Sequence, residues 1–158
     1  MIKNGELINF KFKQSILGEE EIDLPESLRG SDYYWKKPKL KSIHSIIEFD
    51  KIIILSRIFI SSPTNIRFEY NISIEEKGAQ LPLGTDEIYT KNTIKMLDLH
   101  YMPCKYVHFY TKGFEPFCSQ EHIKCYGFDK ETFKERFGDD MLQMIYSKAS
   151  KIVYGKNI

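Results

Sequence analysis

The chain has 158 residues, of which 42% are hydrophobic and 14% aromatic, so it can bury a core of ordinary size and fits one domain better than two. Its 23 basic and 22 acidic residues nearly cancel, which excludes the strong positive field that attracts nucleic acid or an anionic membrane surface. No apolar run is long enough for membrane insertion or for a secretory signal, and three cysteines cannot all pair. We therefore predict an intracellular protein with reduced thiols, cytoplasmic in the first instance.

Short β-strands dominate the first 128 residues. The clearest signal is "NIRFEYNISIEE", in which apolar and polar residues alternate from Ile66 to Ile74, as in an antiparallel strand with one buried face. Further strands are predicted at Ile8–Phe12, Ile43–Phe49, Ile52–Ile60, Ile94–Leu99, Tyr106–Thr111 and His122–Phe128. Segments rich in turn residues separate them, at 61–65, 76–87, 101–103 and 112–116. Seven or eight strands with this spacing predict a mainly β protein, an antiparallel sandwich of jelly-roll type.

The last thirty residues change to a helical period. An apolar stripe recurs every four residues and consists of Phe133, Phe137, Met141 and Ile145. This spacing predicts an amphipathic helix with Asp129 as its N-cap, divided at Gly138, where Asp139 would cap the second part. An exposed stripe would form a hydrophobic patch that soluble monomers rarely tolerate, so we expect a cover, and we favour a partner protein over the sandwich itself. The predicted organisation is a jelly-roll domain at 1–128 and a helical extension at 129–158.

Histidine and cysteine are concentrated between His100 and Phe128, which raises the question of a metal site. His100, Cys104 and His108 follow each other at intervals of four residues. Neighbouring members of this set would lie about 13 Å apart on a strand, whereas zinc ligands lie within roughly 4 Å of each other. The first set therefore does not predict a metal site.

A second set of possible ligands is less easily dismissed. Cys118, His122 and Cys125 could be gathered by a loop, so a zinc-dependent protein remains an alternative. A cysteine nucleophile would also need a paired and oriented histidine, and the sequence marks none. The strand interpretation explains more of the residues, with His108 at an outward position and Cys125 as a small buried hydrophobe. We predict no bound metal and no cofactor.

The segment "YYWKKPKLK" is a candidate ligand-binding loop because it combines aromatic rings with positive charge. Its candidate residues are Tyr33, Tyr34, Trp35, Lys36, Lys37 and Lys39. Such a loop can stack on a sugar or bind a phosphate or an acidic peptide. The alternative is a solvated basic loop with Trp35 anchored in the core. The acidic segment "LGEEEIDLPE" at 17–26 lacks the spacing of a calcium loop, so we expect a solvated loop there.

Two longer stretches together resemble a known family. The first is "SDYYWKKPKLKSIHSIIEFDKIIILSRIFI" at 31–60, and the second is "TIKMLDLHYMPCKYVHFYTKGFEPFCSQEHIKCYGF" at 93–128. The succession of an aromatic segment, an apolar strand pair, a regular strand and a closing "IKCYGF" strand is similar to galactose-binding-domain-like jelly rolls, the superfamily of discoidin, coagulation-factor C-type and Doc domains. The resemblance implies ligand binding by loops at one end of the barrel, here Ser31–Lys39 and Phe114–Glu121. It matches no ligand-binding motif of the family, and the cysteines that staple secreted members are missing.

These observations favour a non-enzymatic protein-interaction module that is a subunit of a larger intracellular assembly. No catalytic constellation is recognisable in the sequence, and aromatic residues are common at interfaces. The partners would be other protein subunits, bound by the aromatic-basic segment and the helical stripe. The alternatives are a module that binds a glycan or a small phosphorylated ligand, and the zinc-dependent protein described above.

Overall fold

The structure, a computed structural model, describes residues 5–21, 39–89, 93–113 and 118–149. These residues form seven strands and two helices: β1 (Glu6–Ile8), β2 (Lys11–Glu21), β3 (Lys39–Ile60), β4 (Ile66–Ser73), β5 (Gln80–Ile88), β6 (Lys95–Gly113), β7 (Ile123–Asp129), α1 (Lys130–Phe137) and α2 (Asp139–Lys148). A short 3-10 turn, Gln120–His122, precedes β7. The predicted mainly β fold with a helical end is confirmed. Within these residues, no helix has the length and apolar character that crossing a membrane requires.

The sheet is antiparallel. It has two halves, and the long strands β3 and β6 run through both of them. Its hydrogen-bonded order is β1-β7-β3-β6-β4-β5, and β2 also pairs with β3. The first half of β3 pairs with β2 and with the end of β6, whereas residues 53–60 pair with β7 and with the start of β6. The β3–β6 register shifts between Glu48 and Ile53, where the first half ends. Buried residues of both halves, such as Phe109 and Ile58, belong to one core, so the sheet closes into a jelly-roll sandwich.

Strand β4 shows why the alternating pattern was informative. Phe68 and Ile72 are 1% and 0% exposed, whereas Arg67 and Glu69 on the opposite face are exposed. The predicted assignment of faces is correct for these four residues. The same period places the apolar residues of β3 and β6 in the core, because alternate residues of a strand point to opposite faces.

The strand boundaries differ from the prediction at three places. β3 and β6 are each continuous where two strands were predicted, and Pro103 lies inside β6. Proline is tolerated there because the start of β6 pairs only with β3, which leaves its other edge free of the ladder. The predicted loop at 76–87 contains β5, whose Pro82 and Gly84 suggested a turn. An edge strand accommodates both residues, since only one side of it must pair.

The C-terminal residues form two helices rather than one. The Asp129 carboxylate accepts a hydrogen bond from the Thr132 backbone N–H at 2.7 Å, so the predicted N-cap is confirmed. Gly138, at φ 91°, separates α1 from α2, as the sequence suggested. The predicted capping role of Asp139 is wrong, because Asp139 is the first residue of α2 and Gly138 holds the N-cap position without a side chain.

The helical stripe is covered mainly by the chain itself. Phe133 and Ile145 are 2% and 4% exposed and form a second apolar cluster with Ile54 and Phe128 of the sheet. The expectation that these two helical residues bind a partner is therefore wrong, because the outer face of β3 and β7 offers apolar side chains that also need a cover. Phe137 and Met141 stay about 40% exposed. The predicted division at residues 128 and 129 stays a prediction.

Candidate functional site

The predicted binding loops fall largely outside the described residues. The residues that lie outside are 33–37 of the aromatic-basic segment and 114–117 of the second loop. Lys39 begins β3 with an exposed side chain, and its Nζ atom lies 3.9 Å from a carboxylate oxygen of Glu19. The described strand ends from which both loops depart are neighbours, because Lys41 pairs with Gly113 across β3 and β6.

A wide cleft of about 580 Å³ lies beside these strand ends, and we refer to it as cleft A. Its lining includes Ile43, Arg67, Phe68, Glu69, Tyr110 and Thr111. Its volume lies within the usual range of small-molecule sites. Residues of five strands line it, so its shape depends on the register of the sheet rather than on one segment.

Cleft A lies on the face of the sheet opposite the core. Thr111 pairs with Ile43 on one side and with Phe68 on the other, and the three residues are at most 5% exposed. Their neighbours Tyr110 and Glu69 pair with each other and point to the opposite, more open face, because alternate residues of a strand face opposite sides. The side chains available to a ligand are therefore those of the open face.

Charged side chains lie on the open face of cleft A. Arg67 and Lys112 are exposed cations, Glu69 is an exposed anion, and all three line the cleft. The Nε atom of Arg67 lies 3.5 Å from a carboxylate oxygen of Glu87. The lining therefore offers both hydrogen-bond donors and hydrogen-bond acceptors on one face of the sheet.

Tyr110 is the partly exposed ring of cleft A, and its neighbours hold it in place. The Gln80 side-chain amide donates to its hydroxyl at 2.9 Å, and Asn71 donates to the Gln80 carbonyl oxygen at 3.1 Å. The ring of His44 lies parallel to it, with 4.5 Å between centroids and 4° between planes. The phenol is thus fixed before any ligand arrives, which reduces the entropy lost on binding.

Behind Tyr110 lies a buried chain of hydrogen bonds. His44 Nε2 lies 2.9 Å from His108 Nδ1, and His108 Nε2 lies 2.7 Å from the Ser73 hydroxyl. Ser73 donates its proton to the Glu75 backbone oxygen at 2.8 Å, so its oxygen accepts from His108 Nε2–H. His108 Nδ1 is then an acceptor, and His44 donates to it.

Burial lowers the pKa of both imidazoles, and the neighbouring His44 adds to the shift at His108. Burial, followed by the neighbouring His44, lowers the pKa of His108 to about 4, although the Glu76 carboxylate opposes the shift. Burial also lowers the pKa of His44, again against Glu76. Since Ser73 is fully buried and its proton is directed to the backbone, the chain is a structural network and not an activated nucleophile.

The predicted outward position of His108 is correct as to its face but not as to its exposure. His108 faces away from Val107 and Phe109, yet it is 0% exposed. Sequence reasoning missed its partner, because His44 lies 64 residues away. A possible signal was that His44, His108 and Tyr110 lie at alternate positions of two adjacent strands, which places all three on one face.

The second set of possible metal ligands does not form a site. Cys118 and Cys125 are buried, and His122 is partly exposed. Burial raises the pKa of the Cys118 thiol to about 12 and that of Cys125 well above its usual range, so neither is a thiolate at neutral pH. Among the described residues, no three His, Cys, Asp or Glu side chains are grouped as a metal would require.

Comparison with known proteins gives matches of structure alone. No protein-family model matches the chain. No curated protein matches it either. Among solved structures, the family 32 carbohydrate-binding module (CBM32) of AlyQ in complex with 4,5-unsaturated mannuronic acid has a TM-score of 0.49 at 7% identity, covering 77% of this chain and 98% of that one.

Two further solved structures are similar. The family 32 CBM from C. perfringens NanJ in complex with galactose has a TM-score of 0.46 at 13% identity and covers 73% of this chain and 93% of that chain. A glycoside hydrolase has a TM-score of 0.50 at 8% identity over 80% of this chain, which spans 33% of the hydrolase. The chain has the galactose-binding-like jelly-roll fold that the sequence resemblance implied.

This comparison corrects the function predicted from the sequence. The structures above are carbohydrate-binding modules and a glycoside hydrolase, whereas the sequence favoured a protein-interaction subunit of an intracellular assembly. That main prediction is wrong, and its alternative of a glycan-binding module is the better supported one. The helical stripe had favoured a protein partner, but the sheet of the same chain covers Phe133 and Ile145.

Proposed function

We propose that this jelly roll binds carbohydrate and that cleft A holds the sugar. A sugar ring presents apolar C–H surface together with hydroxyls that both donate and accept hydrogen bonds. A matching site therefore needs an apolar surface with a few donors and acceptors directed at the same ligand. The Tyr110 ring supplies an apolar surface, Arg67 supplies donors, and Glu69 supplies acceptors.

The observation that carries the proposal is the fixed position of the Tyr110 ring beside charged side chains of the same face. Tyr110 pairs with Glu69 across β6 and β4, and Gln80 and His44 hold its ring in place. A sugar that stacks its C–H face on a ring already held in place loses less entropy on binding. Binding of this kind requires no reaction, and we propose none. An intracellular location stays a prediction.

The proposal is tested first by screening the chain against a glycan array of neutral and acidic sugars, followed by calorimetry with the best ligands. Arg67→Ala should weaken binding about tenfold or more, since hydrogen bonds from a charged group contribute about 1.5–3 kcal/mol. Arg136→Ala is the matched control, because Arg136 lies in α1 and does not line cleft A. A chain that binds no saccharide, or equal losses in the two variants, would contradict the proposal.

A second pair of variants tests the aromatic ring of the site. Tyr110→Leu removes the aromatic surface of cleft A, so sugar affinity should fall severalfold. Tyr106→Leu is the control, because Tyr106 lies on the same face of β6 but does not line cleft A. Equal losses of affinity in the two variants would remove the Tyr110 ring from the site.

A further inference from the structure

A second cleft, of about 310 Å³, lies where β3 ends and β7 begins, and we refer to it as cleft B. Its lining includes Phe59, Glu121, His122, Lys124 and Tyr126, none of which lines cleft A. Phe59 and Lys124 are cross-strand partners on the face of β3 and β7 opposite the buried Ile58 and Cys125.

The backbone around cleft B is anchored on two sides. The Ser61 N–H donates to the His122 carbonyl oxygen at 3.1 Å, which joins the end of β3 to the turn before β7. The Gln120 side chain donates to the Phe10 carbonyl oxygen at 3.0 Å, which joins the same turn to the segment between β1 and β2. These contacts fix the positions of Glu121 and His122, so the side chains of the cleft are arranged in advance of binding.

Two aromatic rings provide apolar surface in cleft B. Phe59 and Tyr126 are both partly exposed, and their rings meet edge to face, with 5.7 Å between centroids and 89° between planes. Perpendicular rings present one face and one edge to a ligand. The C–H side of a sugar ring fits such a surface, because it is apolar and about as wide as an aromatic ring.

The hydrogen-bonding groups of cleft B have defined roles. Ser119 donates its hydroxyl proton to a Glu121 carboxylate oxygen at 3.2 Å, so its oxygen accepts from His122 Nδ1–H at 2.9 Å. The second ring nitrogen of His122, Nε2, is then left to bond with a ligand. Glu121 accepts hydrogen bonds, and the Lys124 ammonium donates.

We propose that cleft B is a second saccharide site and that it takes a neutral sugar. The charges of Glu121 and Lys124 are opposite, so these two side chains give the cleft no excess charge with which to select an acidic ligand. Hydrogen-bond acceptors and donors beside an aromatic surface match a ring of hydroxyls above a C–H face. Its volume lies at the lower end for small-molecule sites, which suits one sugar unit rather than a chain. This inference rests on the proposed function and adds a second point of attachment.

The test is a titration of the isotope-labelled chain with galactose, mannose and N-acetylglucosamine, followed by backbone amide shifts in NMR. We expect saturable shifts at residues 59–61 and 121–126 in addition to shifts around cleft A. Tyr126→Leu and His122→Ala should abolish the first group of shifts, or weaken its affinity at least tenfold, and leave the second group intact. The dispersion of the same spectra verifies that each variant is folded.

The outcomes separate the two proposals. Saturable shifts at cleft A alone, unaffected by Tyr126→Leu, would overturn the second site while the proposed function stands. Shifts at cleft B alone, unaffected by Arg67→Ala, would support cleft B and overturn cleft A. An absence of saturable shifts with all three sugars would overturn cleft B as a neutral-sugar site, and a negative glycan array would overturn the proposed function as well.

Discussion

The Nε2 atom of His44 in β3 lies 2.9 Å from the Nδ1 atom of His108 in β6, so a single proton lies between the two imidazole rings. The two rings are nearly parallel, at 13° and with 5.1 Å between centroids. A second proton between these nitrogens would turn an attractive hydrogen bond into a repulsive contact between two N–H groups. The protonation state of these two histidines therefore affects the packing of β3 on β6.

The first prediction concerns the pH dependence of stability. The folded-state pKa of His108 is lowered to about 4, below the value of 6.5 for an exposed histidine. The unfolded chain therefore binds a proton first as the pH falls, and stability that is fully present above about pH 6.5 is lost between that pH and about pH 4. We expect a loss on the order of 2–3 kcal/mol, measured as the free energy of unfolding in urea at several pH values.

The control for this prediction is a variant in which the side chain at position 108 does not titrate. His108→Gln keeps a polar side chain but does not titrate, so the loss of stability between pH 6.5 and pH 4 should shrink relative to the unmodified chain. Other groups titrate in the same range, including carboxylates, so the difference between the two pH profiles is the quantity to compare. Parallel profiles would show that His108 does not determine the acid sensitivity.

The second prediction contrasts two buried serines. Ser73→Ala removes the acceptor of His108 Nε2–H and leaves that donor buried without its partner, so it should destabilise the fold by about 1–3 kcal/mol. Ser45→Ala removes a buried hydroxyl that has no partner among the described residues, so it should be neutral or stabilising. Thermal unfolding of both variants at pH 7 measures the contrast. Equal destabilisation would mean that packing of the Cβ environment, and not the hydrogen bond, determines the effect.

The third prediction concerns the close approach of β7 to β3 at Gly127. A Cβ atom added at Gly127 would lie 2.4 Å from the Ile54 carbonyl oxygen, and the backbone of β3 cannot move away without breaking its pairing with β6. Gly127→Ala should therefore cost on the order of 3 kcal/mol or abolish folding. Gly18→Ala in β2 is the control, because a Cβ atom there meets nothing within 4 Å. Chemical denaturation distinguishes them, and a stable Gly127→Ala variant would contradict the packing at this position.

The sequence predicted local features well, because local features depend on neighbouring residues. The alternation in β4 and the N-cap at Asp129 both follow from side chains a few positions apart. β5 was missed because its Pro82 and Gly84 resemble a turn, and only its place at the edge of the sheet makes them acceptable in a strand.

The candidate site was harder to predict, because it depends on the register of distant strands. His44 meets His108 only through the pairing of β3 with β6, and Tyr110 meets Glu69 only through the pairing of β6 with β4. No local pattern around these residues differs from that of an ordinary strand. The segment that the sequence singled out, residues 33–37, lies outside the described residues, and its part in ligand binding stays a prediction.

The fourth prediction concerns the two helices and the sheet below them. Phe133 is 2% exposed and packs with Phe128 and Ile54, so Phe133→Ala should cost about 3–5 kcal/mol. Phe137 also contacts Phe128 but is 42% exposed, so Phe137→Ala should cost clearly less and serves as the control. Truncation after Asp129 should expose Ile54 and Phe128 and make the remaining sheet unstable or prone to aggregation. Urea unfolding of the point variants and the solubility of the truncated chain measure these effects. A truncated chain that stays soluble and as stable as the intact one would show that the helices do not belong to the folded core.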